Sequence, residues 1–161
     1  MTVNGALANK PARMVLPGDA VELLGPPPKY VGRGGYKLEG ALTSFGIDPT
    51  GWRCVDVGSS TGGFTDCLLQ SGASGVVAID VGRAQLHNRL RRHPKVDVRE
   101  QTDVRAVDLE ELEAPFDLVV IDVSFIGLDR ILDIVAALAG EHGQIIALVK
   151  PQFEAGKREA N

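Results

Sequence analysis

Val55-Asp56-Val57-Gly58-Ser59-Ser60-Thr61-Gly62-Gly63-Phe64 reads as a strand that runs through a glycine-rich turn into a helix. Phe64, Cys67 and Leu68 share one helical face that continues to Gly72, so the helix begins where the glycines end. Such a turn is a nucleotide-type cradle, because missing side chains let a ligand reach backbone N–H groups at a helix N-terminus. The dinucleotide pattern G-x-G-x-x-G is not met, since Ser60 stands at its second glycine, and no G-K-[ST] supplies a phosphate-binding lysine. Asp56 points the same way: a carboxylate beside the turn repels a pyrophosphate and suits a ligand carrying positive charge, such as an amino group or a sulfonium. The plainer alternative is a tight strand-helix junction with a capping aspartate.

Outward from this stretch, short apolar runs at 54–57, 75–79, 96–98, 118–121 and 145–149 predict five strands. Leu38, Ala41, Leu42 and Phe45, closed by Gly46, predict a helix before the first strand. Leu128, Ile131, Leu132, Val135 and Leu138 predict another before the last. Strands that are apolar throughout and separated by helices give an α/β fold, a mostly parallel sheet with helices on both faces. Open sheets of this kind bind ligands at the C-terminal ends of their strands.

Those ends carry the candidate site residues. Asp80 follows Gly58 by 22 residues, the place where an acidic group accepts hydrogen bonds from the ribose of an adenosine. It can equally cap the stretch that starts at Arg83. Asp103, after the third strand, offers a partner for an adenine amino group or a loop cap. The fourth strand ends at Asp122 and the fifth at Lys150, opposite charges at the ends of strands expected to be neighbours. Buried Lys and Asp need partners, so a salt bridge is the least these two can form. Lys37 stands near the start of the first helix, where the helix dipole disfavours a cation, so its placement needs a reason other than helix stability.

The chain has 161 residues, 17 Lys and Arg against 21 Asp and Glu, and a net charge of −4. No overall positive field draws it to a polyanion, so any nucleic-acid site must be local. Arg83, Arg89, Arg91, Arg92 and Lys95 form one stretch without an acidic residue, with Leu86 and Leu90 as its apolar side. Lys29, Arg33 and Lys37 form a second. A solvated helix face is the alternative for the first, and the glycine-rich loop within the second could follow a nucleic-acid backbone. Cys54 and Cys67 have no histidine at metal-ligand spacing, so no metal is expected and reduced cytoplasmic thiols are. No apolar run approaches the ~20 residues that span a bilayer, and no membrane partner is expected. Turns at Val3-Asn4-Gly5 and Pro17-Gly18-Asp19 and a strand at 21–24 set residues 1–25 apart. Gly25-Pro26-Pro27-Pro28 opens a linker read as 26–35, and the main domain is read as 36–161.

These strings together resemble the TlyA-type, haemolysin A-like ribosomal RNA 2′-O-methyltransferases within the FtsJ-like group. The resemblance rests on Tyr30-Val31-Gly32-Arg33-Gly34-Gly35, Lys37 to Leu42, Asp56 to Leu68, Asp80-Val81-Gly82, Val119 to Ile126 and Leu148 to Gly156. It implies a Rossmann-like domain that uses S-adenosylmethionine to methylate a ribose 2′-hydroxyl, with cytidine as the nucleoside and ribosomal RNA or ribosomal subunits as partner. Residues 3–25 resemble the tail of the alpha-L RNA-binding motif.

By motif, the family's Lys-Asp-Lys-Glu set falls on Lys37, Asp122 and Lys150. Its glutamate lies after strands not found here, so the sequence reads as truncated at both ends. The resemblance assigns Asp56, Gly58, Ser60, Gly62, Gly63, Phe64, Asp80, Asp103 and Asp122 to the cofactor, and Arg33, Arg83, Arg89, Arg91 and Arg92 to RNA. Lys150 is the expected base or oxyanion partner. Two departures are Gly32, where the family commonly has Ser, and Asp103, where it commonly has Asn. The competing readings are a non-catalytic RNA-binding or haemolysin-labelled protein and, against the missing G-x-G-x-x-G, a nicotinamide-dependent oxidoreductase. Oligomeric state is not predicted.

Overall fold

The computed structural model describes residues 1–10 and 12–154. At the N-terminus, β1 (Thr2–Val3), β2 (Ala6–Leu7) and β3 (Val21–Glu22) form a small antiparallel sheet in the order β2-β1-β3. Asn4 and Gly5 both have positive φ between β1 and β2, the geometry that a two-residue hairpin demands.

The main unit runs α1 (Gly34–Phe45), β4 (Arg53–Val57), α2 (Gly63–Gln70), β5 (Gly75–Asp80), α3 (Asn88–Arg91), β6 (Val96–Glu100), β7 (Leu118–Ile121), α4 (Leu132–Ala139), β8 (Gln144–Ala147) and α5 (Pro151–Glu154). Five strands pair in parallel in the order β6-β5-β4-β7-β8. The chain builds outward from β4 to one edge, then returns to the other side of β4 with β7. The C-terminal ends of β4 and β7 therefore flank the topological switch point, the place where doubly wound sheets bind ligands.

Side-chain alternation along the strands explains why they read as continuously apolar. On one face Val55, Val57, Val77, Ile79, Val119 and Ile121 pack against Ile131, Val135 and Leu138. On the other, Cys54, Val76, Leu118, Val120 and Ile146 pack against Leu38 and Leu42 of α1 and Phe64, Cys67 and Leu68 of α2.

Three expectations change. Phe45, placed on the apolar face of α1, is exposed, while Leu38 and Leu42 carry the contact with the sheet. The stretch from Arg83 to Lys95 is helical only over the four residues of α3. The linker also ends earlier than read: Tyr30 is buried, and Val31 N donates to Asp66 Oδ2 at 2.9 Å, so residues 30–35 pack as part of the domain.

Candidate active site

The loop from Gly58 to Gly62 is fixed by its own backbone and by Asp80. Gly58 N and Ser59 N both donate to Ile79 O, at 2.9 and 3.1 Å, and Gly62 N donates to Ser59 O at 2.7 Å. Ser60 takes a φ of +47°, a conformation few L-residues adopt, and its N–H donates to Asp80 Oδ2 at 2.7 Å. The other Asp80 oxygen accepts from Gly82 N at 2.7 Å. Asp80 thus ties its own turn to the glycine-rich one while lining the cavity beside them.

Two glycines are required here. Gly58 has a φ of +85°, and a Cβ on it would stand 2.8 Å from Asp122 O. A Cβ on Gly63 would stand 2.9 Å from Gly35 N, so the two glycine-rich stretches pass at contact distance. That contact gives the Gly34-Gly35 pair a packing role where an RNA-facing loop was expected.

The cavity has a volume of about 940 Å³ and is lined by Gly58, Ser60, Asp80, Asp103, Asp122 and Phe125 among others. A recess of about 210 Å³ shares Gly58, Ser60, Asp122 and Ser124 with it and adds Gly63, Phe64 and Lys150. Asp103 caps the turn that follows β6 and is gripped by Arg105, with Arg105 Nη2 at 2.6 Å from Asp103 Oδ2. The guanidinium, then the Arg105 N–H, hold the Asp103 carboxyl down at about 2. Asp103 is therefore an anion that both caps a turn and faces the cavity.

Asp122 stands where the two volumes meet. Its Oδ1 lies 2.6 Å from Lys150 Nζ and its Oδ2 3.7 Å from Lys37 Nζ. The shorter contact is a close ion pair whose angle does not make a hydrogen bond, so Asp122 Oδ1 is buried without one. Lys150 Nζ donates to Ser124 Oγ at 2.8 Å. Side-chain exposure is 53% for Lys37, 20% for Asp122 and 19% for Lys150, so the two lysines approach one carboxylate from the solvent side and the protein side. The three residues assigned to catalysis from sequence are brought together. Ser124 was missed, although it follows Asp122 at i+2, a spacing that puts two side chains on one side of an extended chain.

Asp56 departs from its expected role as a direct partner for ligand charge. Alternation along β4 turns its side chain toward α2, where it is fully buried and accepts from Thr65 N at 2.9 Å and Thr65 Oγ1 at 2.7 Å. It lines neither volume. Burial pushes its carboxyl up to about 7, against the two Thr65 bonds, with Asp122 and Asp80 adding to the rise. Between about pH 4 and 7 the native state then keeps a proton that the unfolded chain has released. The stabilisation is complete below about pH 4 and is lost as pH rises through about 7. Asp56→Asn keeps an oxygen for Thr65 and cannot ionise. In urea unfolding at pH 5 and pH 8, wild type is expected to lose about 2–4 kcal/mol more than the variant across that interval. Equal losses would remove Asp56 as the titrating group.

Two arginines expected to meet RNA each pair with a carboxylate of the domain. Arg89 Nη2 binds both oxygens of Asp66, at 2.9 and 2.8 Å, and Asp66 is only 3% exposed. Since Asp66 also accepts from Val31 N, the pair joins α3, α2 and the strip at residue 31. Arg91 Nη2 binds Glu100 at 2.7 Å, and Glu100 also accepts from the backbone N–H groups of Ala84, Gln85 and Leu86. Arg91, then those N–H groups, hold Glu100 down at about 2. Both arginines keep solvent contact, with 59% of the Arg89 side chain and 35% of the Arg91 side chain exposed. Arg33, Arg83 and Arg92 are exposed and make no ion pair among the described residues.

The sequence profile of the FtsJ-like methyltransferase matches residues 30–161. The chain belongs to the FtsJ-like methyltransferase family. Within that family it is 45% identical over 156 residues to the 16S/23S rRNA (cytidine-2′-O)-methyltransferase TlyA of Mycobacterium tuberculosis, covering 96% of this chain and 58% of that protein. It is 38% identical to Hemolysin A of Brachyspira hyodysenteriae, covering 99% of this chain and 66% of the other. A solved structure described as a hemolysin from Streptococcus thermophilus superposes with a TM-score of 0.81 at 43% identity, over 89% of this chain and 53% of that one. The chain thus spans a little over half the length of the first of these relatives. The family's profile starts at residue 30, where the packed part of the domain starts. Among the described residues no helix is long and apolar enough to cross a membrane.

Proposed function

We propose that this domain transfers a methyl group from S-adenosylmethionine to the 2′-hydroxyl of a ribose in ribosomal RNA, in the cytoplasm, with cytidine as the nucleoside. The observation that carries this reading is the Lys37-Asp122-Lys150 cluster, two ammonium groups on one carboxylate at the border between a large cavity and a small recess. A ribose hydroxyl is a poor nucleophile. It needs a polar group at its oxygen and a methyl carbon aligned with it.

The residues present fit the cofactor. Gly58 and Ser60 line the cavity, Ser59 Oγ is buried beside them without a hydrogen-bond partner, and Asp80 and Asp103 place two carboxylates on the cavity wall. Gly58 and Ser60 would hold the amino-acid end, with Asp80 toward the ribose and Asp103 toward the adenine, while Gly63 and Phe64 line the recess and Gly62 backs onto Leu86 and Leu90. The bound cofactor supplies an electrophilic methyl group.

Lys150 sits in the recess, where its ammonium can hold the acceptor 2′-oxygen and stabilise the charge that grows there as the hydroxyl proton leaves to solvent. Its close pairing with Asp122 favours this oxyanion role over that of a base. Asp122 balances the two cations, and Lys37, the more exposed, keeps the carboxylate turned toward the recess. Phe125, 92% exposed at the mouth, offers a ring on which an unstacked base can lie. Of the arginines read for RNA, Arg33, Arg83 and Arg92 are exposed without an ion pair among the described residues and can meet phosphates.

Calorimetric titration with S-adenosylmethionine and with NAD, followed by methyl incorporation into ribosomal RNA, tests the reading. Heat from S-adenosylmethionine alone and label on a ribose 2′-oxygen are expected. NAD binding, or label on a base, would overturn it.

A further inference from the structure

We infer that Ser124 is a positioning residue for this transfer, setting the direction of the Lys150 ammonium; the inference rests on the function proposed above. A lysine ammonium is a compact charge with three N–H donors that rotate freely. Asp122 fixes where that charge sits, because Oδ1 lies 2.6 Å from Nζ. It does not fix how the charge is turned, since the contact lacks hydrogen-bond geometry. The one directional bond that Lys150 Nζ makes among the described residues is to Ser124 Oγ, at 2.8 Å.

The surroundings give that bond a purpose. Ser124 and Lys150 both line the small recess, and Ser124 also lines the large cavity, so the hydroxyl lies on the path between the cofactor volume and the acceptor volume. With one N–H spent on Ser124 and the ion pair holding a second side of the nitrogen, the remaining N–H is left for the recess. Ser124 is exposed, so a purely structural hydroxyl here has no burial cost to relieve and water would serve it as well. Its value lies in orientation. Preorganised donors act on a transition state because they are aimed before the charge develops.

The test compares wild type, Ser124→Ala and Ser124→Thr, each as the full chain. Steady-state methyl transfer is expected to show kcat about tenfold lower in the alanine variant with KM for S-adenosylmethionine unchanged, and recovery in the threonine variant, which keeps the hydroxyl. A second measurement needs no turnover: trace acetylation of each lysine by acetic anhydride, read by mass spectrometry with Lys95 as the internal reference. Ser124 Oγ holds and covers one side of Nζ at 2.8 Å, so Lys150 is expected to acetylate several-fold faster in Ser124→Ala and at the wild-type rate in Ser124→Thr. Unchanged acetylation in the alanine variant, or an unchanged kcat in an active enzyme, would overturn the inference. If wild type transfers no methyl group, the proposed function fails, and the acetylation comparison still decides Ser124.

Discussion

Lys150→Ala is expected to reduce methyl transfer by at least two to three orders of magnitude while S-adenosylmethionine binding, measured by calorimetry, stays close to wild type. Loss of one preorganised donor at a developing oxyanion costs about 10²–10³ in rate. Here the loss is compounded, because Lys150 is the close partner of Asp122 at 2.6 Å and Lys37 stands off at 3.7 Å. Without Lys150, the partly buried Asp122 carboxylate turns toward the more distant cation and leaves the recess with an uncompensated negative charge, which opposes the charge of the reaction. Cofactor binding is spared because Lys150 does not line the large cavity. Lys37→Ala is expected to cost less in rate, since that side chain is half exposed and water can replace part of its charge. Retained turnover in Lys150→Ala would remove it from the mechanism, and lost cofactor binding would make it a residue of the cofactor site.

The sheet and the Asp122-Lys150 pair were legible for one physical reason. Ligand-binding residues of a parallel sheet sit where apolar runs stop, so Asp80, Asp122 and Lys150 could be found by reading the first polar residue after each run. All three lie at the cavity or the recess. What the run-ending rule cannot give is the direction of a side chain. Asp56 looks like a residue of the same kind, but it precedes the end of β4 by one position, and alternation sends it under α2 to Thr65. The partners of Arg89 and Arg91 escape the sequence for a related reason. A stretch without acidic residues looks like an unneutralised patch, yet Asp66 lies 23 residues away in sequence and Glu100 nine, and both are brought in by the fold. Local charge counting sees no partner that comes from another element.

Gly58→Ala is expected to damage both the stability of this domain and its candidate site. Gly58 holds a φ of +85°, where an L-residue pays about 1–3 kcal/mol in backbone strain. The added Cβ would also stand 2.8 Å from Asp122 O and 3.0 Å from Asp122 C. Both are backbone atoms, so no rotamer change relieves the clash, and either β4 or β7 must move at its C-terminal end. Asp122 N donates to Val57 O at 3.0 Å, which couples that movement to the ladder between the two central strands. Strain and displacement together predict a loss of about 3–5 kcal/mol in urea unfolding, with the fold retained at low denaturant. Function is expected to suffer through two routes at once, because Gly58 lines both volumes and its neighbour across the switch point carries the carboxylate proposed for catalysis. S-adenosylmethionine affinity is expected to fall at least tenfold, and transfer to fall further than affinity does, since the Asp122 side chain shifts with its carbonyl. Saturating cofactor separates these effects: turnover restored in full by excess S-adenosylmethionine would show that only the cradle was damaged and that the Asp122 carboxylate had kept its place.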